Sequence, residues 1–184
     1  MVEHKGESEI QMLQTLNQAI SEAPDFQSAL TVALGKVCEF TNWDYGEVWI
    51  PYKDGRLLEI SPACYINTHR DSAYVSALEQ FRLCSEELIL SPGMGLPGRV
   101  WSSQQPEWIS DVSAQSETYF MRNQIALAFG VKTGLGVPIL ANHQGKAGVL
   151  VFFMLEVRAQ DKRLIKLSQA AATQLGTLLQ RSLV

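Results

Sequence analysis

One stretch constrains the fold of this chain more than any other, because it is apolar on both faces of a strand. From Ala147 to Leu155 the side chains alternate between two rows, and neither row contains a polar residue. The first row is Val149, Val151, Phe153 and Leu155, and the second is Gly148, Leu150, Phe152 and Met154. A strand that faced water on one side would carry polar residues at every second position. The pattern therefore predicts a central strand with a packed layer on each side, one of which could enclose a pocket.

Turn signals define two hairpins. Asp54 and Gly55 separate two apolar runs, and this dipeptide is typical of a tight hairpin turn. The central strand follows a polar turn, Asn142 to Gly145, in which Gly145 can supply a positive φ. Both connections are short, so each pair of strands is expected to be antiparallel.

Helical periodicity surrounds these hairpins. A narrow apolar stripe repeats along residues 8–20, and Asp25 is placed to cap a second helix. Helical spacing returns in Arg70 to Cys84 and in Ser116 to Phe129, and Asp161 lies in the first turn of a last helix. The order is helix, helix, hairpin, helix, strand, short helix, strand, helix, hairpin, helix. It predicts an α+β fold with an antiparallel sheet and with the terminal helices together on one face.

Composition limits the function classes. We expect residues 1–7 to be disordered and residues 8–184 to form one domain. Hydrophobic residues make up 46% of the chain but charged residues only 18%, so part of the surface is expected to contact a partner. A net charge of -4 without a basic block argues against nucleic acid. No apolar run could span a bilayer and no signal peptide opens the sequence, so a cytoplasmic protein without a membrane partner is expected.

The last helix carries two apolar rows, which is more than one domain needs. One row is expected to cover the sheet, and the second, at near-heptad spacing, indicates a partner helix. Together with the stripe on the first helix it predicts a homodimer. The predicted interface residues are Leu13, Leu16, Ile20, Ile165, Ala172 and Leu179.

The sequence predicts no metal site. The three cysteines are widely spaced and have no close histidine, which argues against a disulfide framework and against structural zinc. The histidines fall in the N-terminal tail and in two turns, so solvated surface positions are the simplest interpretation. Axial ligation of a metal by His69 stays open.

A glycine motif invites a dinucleotide interpretation. Gly93, Gly95 and Gly98 spell G-x-G-x-x-G after a short apolar run. A dinucleotide fingerprint needs a full helix in a parallel β-α-β unit, whereas here Pro97 interrupts the motif and Pro106 stops any helix early. We interpret the motif as a tight turn that leads into a short helix.

Large aromatic rings concentrate between the glycine turn and the central hairpin. Core packing is one interpretation, and the wall of an apolar small-molecule pocket is the other. Asp111 can either accept a hydrogen bond from a ligand or cap the next turn. The candidate pocket residues are Trp101, Trp108, Asp111, Phe120, Met121, Arg122 and Phe129.

Three runs in this order, PGMGLPGRVWSSQQPEWISDV, FGVKTGLGVPI and GVLVFFM, resemble the GAF domain family. The similarity extends from about Asp25 to Gln180. Within the family, the sequence most resembles GAF domains of bacterial, especially cyanobacterial, sensor kinases. The resemblance implies a GAF/PAS-like antiparallel sheet with helices on both sides. It also implies a pocket on one face and dimerisation through the terminal helices.

The resemblance also argues against particular ligands. Bilin-binding members carry a Cys-His pair eight residues ahead of the residue that corresponds to Phe129, where this chain has Met121-Arg122. A second cysteine used by some members corresponds to Ser113, so covalent bilin is not expected. The Asn-Lys and Asp-Glu pairs of cyclic-nucleotide binders are missing from the sequence. The free-methionine-sulfoxide reductase branch has a cysteine where this chain has Leu96-Pro97, and Cys84, the nearest thiol, is interpreted as structural.

The expectation is therefore a non-catalytic sensory GAF domain of a signal-transduction protein of the two-component, sensor-histidine-kinase type. It would bind a small ligand, dimerise, or both, and pass a signal through its last helix to an output domain. The ligand and the cofactor stay unidentified. The alternatives are a structural dimerisation module without a ligand and a thiol-dependent reductase.

Overall fold

The fold is known from a computed structural model that describes residues 3–141 and 145–181, with side chains described for residues 9–141 and 147–180. The helices are α1 Glu3–Ser21, α2 Phe26–Thr41, α3 Ser72–Leu83, α4 Gly95–Ser103, α5 Asn123–Phe129 and α6 Lys162–Arg181. The strands are β1 Tyr45–Tyr52, β2 Leu57–Ile66, β3 Ile89–Leu90, β4 Glu107–Ile109, β5 Thr133–Ala141 and β6 Gly145–Met154. This order of elements is the one that the sequence predicts.

The six strands form one sheet in the order β3-β2-β1-β6-β5-β4, and every neighbouring pair is antiparallel. β6 lies between β1 and β5, so the doubly apolar strand is an interior strand, as predicted. The fold is therefore α+β with an antiparallel sheet. The predicted turn at Asn142 to Gln144 lies outside the described residues.

The two side-chain rows of β6 enter two different hydrophobic cores. Val149, Val151 and Phe153 join the core beneath α3, α4 and α5, whereas Leu150 and Phe152 join the core beneath α1, α2 and α6. The two rows of side chains predicted from the sequence therefore lie in two separate cores. A fully buried aromatic or branched side chain contributes about 1.5–3 kcal/mol before its entropy cost is subtracted.

The terminal helices lie together on one face of the sheet, where α6 covers β5 and contacts both α1 and α2. Asp25 caps α2, as predicted, by accepting a hydrogen bond from the backbone N–H of Ser28 (2.7 Å). Asp161 accepts hydrogen bonds from the N–H groups of Arg163 and Leu164 at the start of α6. Among the described residues, no helix combines the length and the apolar character needed to cross a membrane.

Two helix boundaries differ from the expectation. α1 begins at Glu3, so residues 3–7, which we expected to be disordered, are helical, while Met1 and Val2 lie outside the described part. The helix predicted over Ser116 to Phe129 is limited to α5, and residues 116–122 form turns. Side chains take carbonyl groups that a helix would use: Asn123 Nδ2 donates to Gln115 O (2.9 Å) and Arg99 Nη1 donates to Tyr119 O. Tertiary hydrogen bonds therefore override the local periodicity.

The glycine motif is a structural turn, in agreement with our interpretation. α4 begins inside the motif and has only nine residues. The strands on either side of it, β3 and β4, lie at opposite edges of the sheet. A Cβ atom at Gly98 would lie 2.5 Å from the carbonyl oxygen of Ser91, so only glycine fits where the turn closes on itself.

Candidate functional site

The face of the sheet beneath α3, α4 and α5 contains a charged pair inside a hydrophobic core. β1 directs Tyr45, Glu47 and Trp49 toward this face, and Glu47 has no solvent exposure. Arg122, immediately before α5, is 2% exposed. Its Nη2 donates to Glu47 Oε1 (2.6 Å) and its Nη1 donates to Glu47 Oε2 (3.1 Å). The two charges neutralise each other where neither could be solvated.

Two neutral side chains complete the hydrogen bonding of this pair. Trp49 Nε1 donates to Glu47 Oε1 at 2.7 Å, and Arg122 Nη1 also donates to Ser85 Oγ at 3.2 Å. Hydrogen bonds that involve a charged group are shorter and stronger than neutral ones. The buried carboxylate thus has donors from both β1 and the segment before α5.

Aromatic rings surround the guanidinium group of Arg122. Its Cζ lies 4.9 Å from the ring centroid of Phe81 and 5.2 Å from that of Phe153. The centroids of Trp49 and Phe120 lie at 5.5 and 5.7 Å. All four distances are within the range of cation–π attraction. We refer to these four rings, with Glu47 and Ser85, as the guanidinium cage.

Two buried donors beside the cage lack hydrogen bonds of standard geometry. They are Tyr45 Oη and Arg82 Nη1. Burial raises the pKa of Tyr45 well above its usual value, the Glu47 carboxylate adds to the rise, and Arg82 and Arg122 oppose it. The Tyr45 hydroxyl and the Arg82 guanidinium group nevertheless interact with each other, because a side-chain hydrogen bond between them lowers the pKa of Tyr45 and raises that of Arg82.

A second ion pair holds the turn segment before α5 from the outside. Arg99 Nη2 lies 2.6 Å from Glu107 Oε1, and the Tyr119 hydroxyl donates to the same oxygen (3.0 Å). The guanidinium group of Arg99 also lies 4.0 Å from the Tyr119 ring centroid. Residues 116–122 are thus attached to α4 and β4 on the surface and to β1 in the interior.

The structure brings several predicted pocket residues to this face, but not all of them. Trp101, Phe120 and Arg122 are buried there, and Met121 and Phe129 pack at its margin. None of these contacts tests ligand binding, so the pocket assignment stays a prediction.

Asp111 and Trp108 do not reach the cage. Asp111 Oδ1 accepts hydrogen bonds from the backbone N–H of Ser113 (3.0 Å) and from its hydroxyl (2.6 Å), which is the turn-capping role left open by the sequence. Trp108 lies on the opposite face, where its ring centroid is 5.5 Å from that of Trp43 and its Nε1 donates to Arg158 O. A single pocket wall that includes both Trp108 and Trp101 does not form, because Trp101 on α4 packs in one core and Trp108 on β4 packs against the opposite core.

The sequence did not point to several residues of the cage. From the sequence alone, Glu47 is one position in the alternation of the first hairpin strand, and Phe81 is one position in the helical stripe of Arg70 to Cys84. The signal that could have identified Glu47 is its position between two inward-facing aromatic residues, Tyr45 and Trp49, because a lone carboxylate in such a row needs a buried cation.

The predicted dimer residues divide into two groups. Leu16, Ile20 and Ala172 are almost completely buried within the chain, where α1, α2 and α6 meet. Leu13, Ile165 and Leu179 are only half-buried. The first group stabilises the domain itself, and only the second group can contribute to an interface.

The three thiols lie in different environments, and Cys64 packs at the margin of the core that contains the cage. Cys38 is buried in the opposite core, and burial raises the pKa of its thiol well above the usual value. Cys84 is exposed at the end of α3, so it is not a packed structural residue as the sequence had suggested. Among the side chains that the structure describes, no cluster of three or more His, Cys, Asp or Glu residues could hold a metal ion.

The comparisons with known proteins agree with this geometry. A family model described as a GAF domain matches residues 23–180. This chain belongs to the GAF domain family. GAF domains are typically regulatory small-ligand-binding modules of signalling proteins, and most are non-catalytic although some are enzymes.

Among solved structures, the GAF domain of a phosphoenolpyruvate-protein phosphotransferase from Coxiella burnetii superimposes with a TM-score of 0.73 and 19% identity, covering 95% of this chain and 94% of that one. A free methionine-R-sulfoxide reductase from Neisseria meningitidis, in complex with its substrate, has a TM-score of 0.71 and 15% identity, covering 98% and 94%. At such identities these likenesses establish the fold alone.

Among curated proteins, Protein NLP8 of Arabidopsis thaliana is 33% identical over 96 residues, which is 51% of this chain and 10% of NLP8. The chain therefore matches about a tenth of the length of this plant protein.

Proposed function

We propose that this chain is a non-catalytic regulatory GAF domain of a signalling protein of the sensor-histidine-kinase type. In this proposal a ligand acts on the face that contains the guanidinium cage. The domain pairs with a second copy through α1 and α6, and α6 transmits the change to an output domain.

The observation that supports this proposal is the shared role of β6. Phe153 contacts the guanidinium group of Arg122 on one face, and the next residue, Phe152, packs on Trp43 on the other (ring centroids 5.9 Å apart). The neighbouring strand β5 is in close contact with α6. A Cβ atom added at Gly176 of α6 would lie only 2.0 Å from Leu140 O of β5. A ligand that favours one arrangement of Phe153 could therefore change the position of α6 through β6 and β5. The size of this change is limited by the difference in the ligand's affinity for the two arrangements.

Ligand binding is tested by thermal unfolding in the presence of tetrapyrroles, nucleotides and small organic acids and bases. A ligand present at a hundredfold excess over its dissociation constant stabilises the folded state by about 2.7 kcal/mol. If no compound stabilises the domain while the dimer persists, the sensory part of the proposal is wrong.

Dimerisation is tested at the half-buried residues. Ile165→Glu and Leu179→Glu should each convert a dimer to a monomer in sedimentation equilibrium, because a carboxylate in an apolar interface has no partner. Lys166→Glu, an exposed position on the same helix, is the matched control and should stay dimeric. A parent protein that is monomeric at high concentration would contradict the dimer.

A structural module without a ligand is the second candidate. It is favoured by the packing of Trp101, Phe120 and Arg122, which are buried against their own chain. A domain that dimerises and responds to no compound would be this module.

A thiol-dependent reductase is the third candidate, motivated by the Neisseria likeness and by the exposure of Cys84. Reduction of free methionine sulfoxide by the parent protein with dithiothreitol, abolished in Cys84→Ser, would establish it. An inactive parent protein would exclude it.

A further inference from the structure

The charge of Glu47 restricts what the guanidinium cage can accept. This carboxylate has no solvent exposure, and its cationic partner is Arg122. Removing one partner of a buried ion pair costs about 3–5 kcal/mol, because the remaining charge is uncompensated. A neutral or anionic molecule that displaced Arg122 would carry this cost, whereas another cation would not. The aromatic rings strengthen this preference for a cation, since aromatic cages are used to recognise organic cations.

We propose that Arg122 is an internal occupant of this cage, and that the ligand of the domain is an organic cation with a guanidinium or alkylammonium group that exchanges with it. This inference rests on the proposed function and names the ligand class of the same face. The incoming group would pair with Glu47 and Ser85 and lie among the rings of Trp49, Phe81, Phe120 and Phe153.

The position of Arg122 allows the exchange. It precedes a helix of only seven residues and ends a segment, residues 110–122, that contains no helix or strand. The Arg99–Glu107 pair holds Tyr119 on the surface, only three residues earlier. In this proposal the Arg122 side chain leaves the cage while Tyr119 stays attached at the surface.

The first experiment uses Arg122→Ala and two flat probes of similar shape, ethylguanidinium and neutral N-ethylurea. By calorimetry we expect the cation to bind at least about tenfold more tightly, equivalent to about 1.4 kcal/mol. The double variant Glu47→Gln/Arg122→Ala should lose this preference. If Arg122→Ala does not fold alone, its refolding in millimolar ethylguanidinium but not in N-ethylurea would equally show the preference for the cation. Equal binding of both probes, or no binding of either, overturns the proposal.

The second experiment uses the parent protein with ethylguanidinium. We expect the nitrogen resonance of the Arg122 side chain to move toward that of a solvated arginine as the probe binds, and to stay unchanged with neutral N-ethylurea. An unchanged Arg122 resonance at saturating probe overturns the exchange. A domain that binds the cation but stays monomeric would contradict only the proposed dimer, so the two failures are distinguishable.

Discussion

The Asp44 carboxylate accepts a hydrogen bond from the backbone N–H of Leu155, which lies 111 residues later in the chain (2.9 Å). The same buried side chain accepts hydrogen bonds from Arg70 Nε (2.6 Å) and Nη2 (3.3 Å). The Asp44 backbone carbonyl also accepts from the N–H of Asn67 (2.9 Å). One residue at the start of β1 thus connects the end of β6 to the loop between β2 and α3.

Replacing Asp44 by Ala should lower the free energy of unfolding by about 2–3 kcal/mol, because the partly buried Leu155 N–H loses its acceptor and Arg70 loses its main partner. Urea unfolding measures the change. Glu156→Gln is the control, because Glu156 is an exposed and more distant partner of the same arginine (3.7 Å) and should change stability by less than about 0.5 kcal/mol. Equal effects of the two substitutions would contradict a special role for Asp44.

Gly176→Ala tests the close approach of α6 to the sheet. The added Cβ would lie 2.0 Å from Leu140 O, a backbone atom that cannot rotate away, so α6 must shift. Overpacking of this kind costs about 1–3 kcal/mol, more than the helix propensity that alanine gains. Gly35→Ala, on α2, is the matched control. Its Cβ would lie 3.7 Å from Tyr65, so the variant should be unchanged or more stable by up to about 1 kcal/mol. Thermal unfolding separates the two outcomes.

Hydrophobic alternation predicted the layers of the fold because it depends only on which residues avoid water. Phe152 and Phe153 are neighbours in sequence and enter opposite cores for that reason. The same argument failed over residues 116–122, where the helical spacing is real but Arg99 and Asn123 take the carbonyl groups that a helix needs. These contacts span 20 and 8 residues, and neither follows the helical spacing, so the periodic pattern does not contain them.

The candidate site was only partly predictable. The sequence places Arg122 among the candidate pocket residues, but its partner Glu47 lies 75 residues away and has no local signal beyond its neighbours. Trp108 was grouped with Trp101 by proximity in sequence, whereas the short turn between them places the two rings on opposite faces. Pairing across a sheet depends on register, which spacing along the chain does not determine.

The coupling between Glu47 and Arg122 can be measured by a double-mutant cycle. Glu47→Gln alone leaves Arg122 buried without a counter-charge and should cost about 3–5 kcal/mol. The double variant Glu47→Gln/Arg122→Met removes both charges, and it should be at least about 2 kcal/mol more stable than Glu47→Gln alone. Urea unfolding of the parent, both single variants and the double variant gives the interaction energy. Additive effects would show that the pair contributes no coupling.

The pH dependence of stability tests the buried phenol. Burial holds the pKa of Tyr45 well above the usual value of 10.0, so above that pH the folded protein keeps a proton that the unfolded chain has lost. The contribution is fully present below about pH 10 and is lost as pH rises, at about 1.4 kcal/mol per unit. Tyr45→Phe should cost less than about 1 kcal/mol near neutral pH, since Oη lacks a hydrogen bond of standard geometry.

The diagnostic quantity is the difference in slope between the parent and Tyr45→Phe, because the pKa values of Cys38, Tyr65 and Tyr119 are also raised and act equally in both proteins. Urea unfolding between about pH 9 and pH 11 gives both slopes. We expect stability to fall less steeply with pH in Tyr45→Phe. Parallel curves would contradict the raised pKa of Tyr45, because the phenol would then ionise as easily in the folded protein as in the unfolded chain. A side chain with no solvent exposure beside a buried carboxylate should instead resist ionisation.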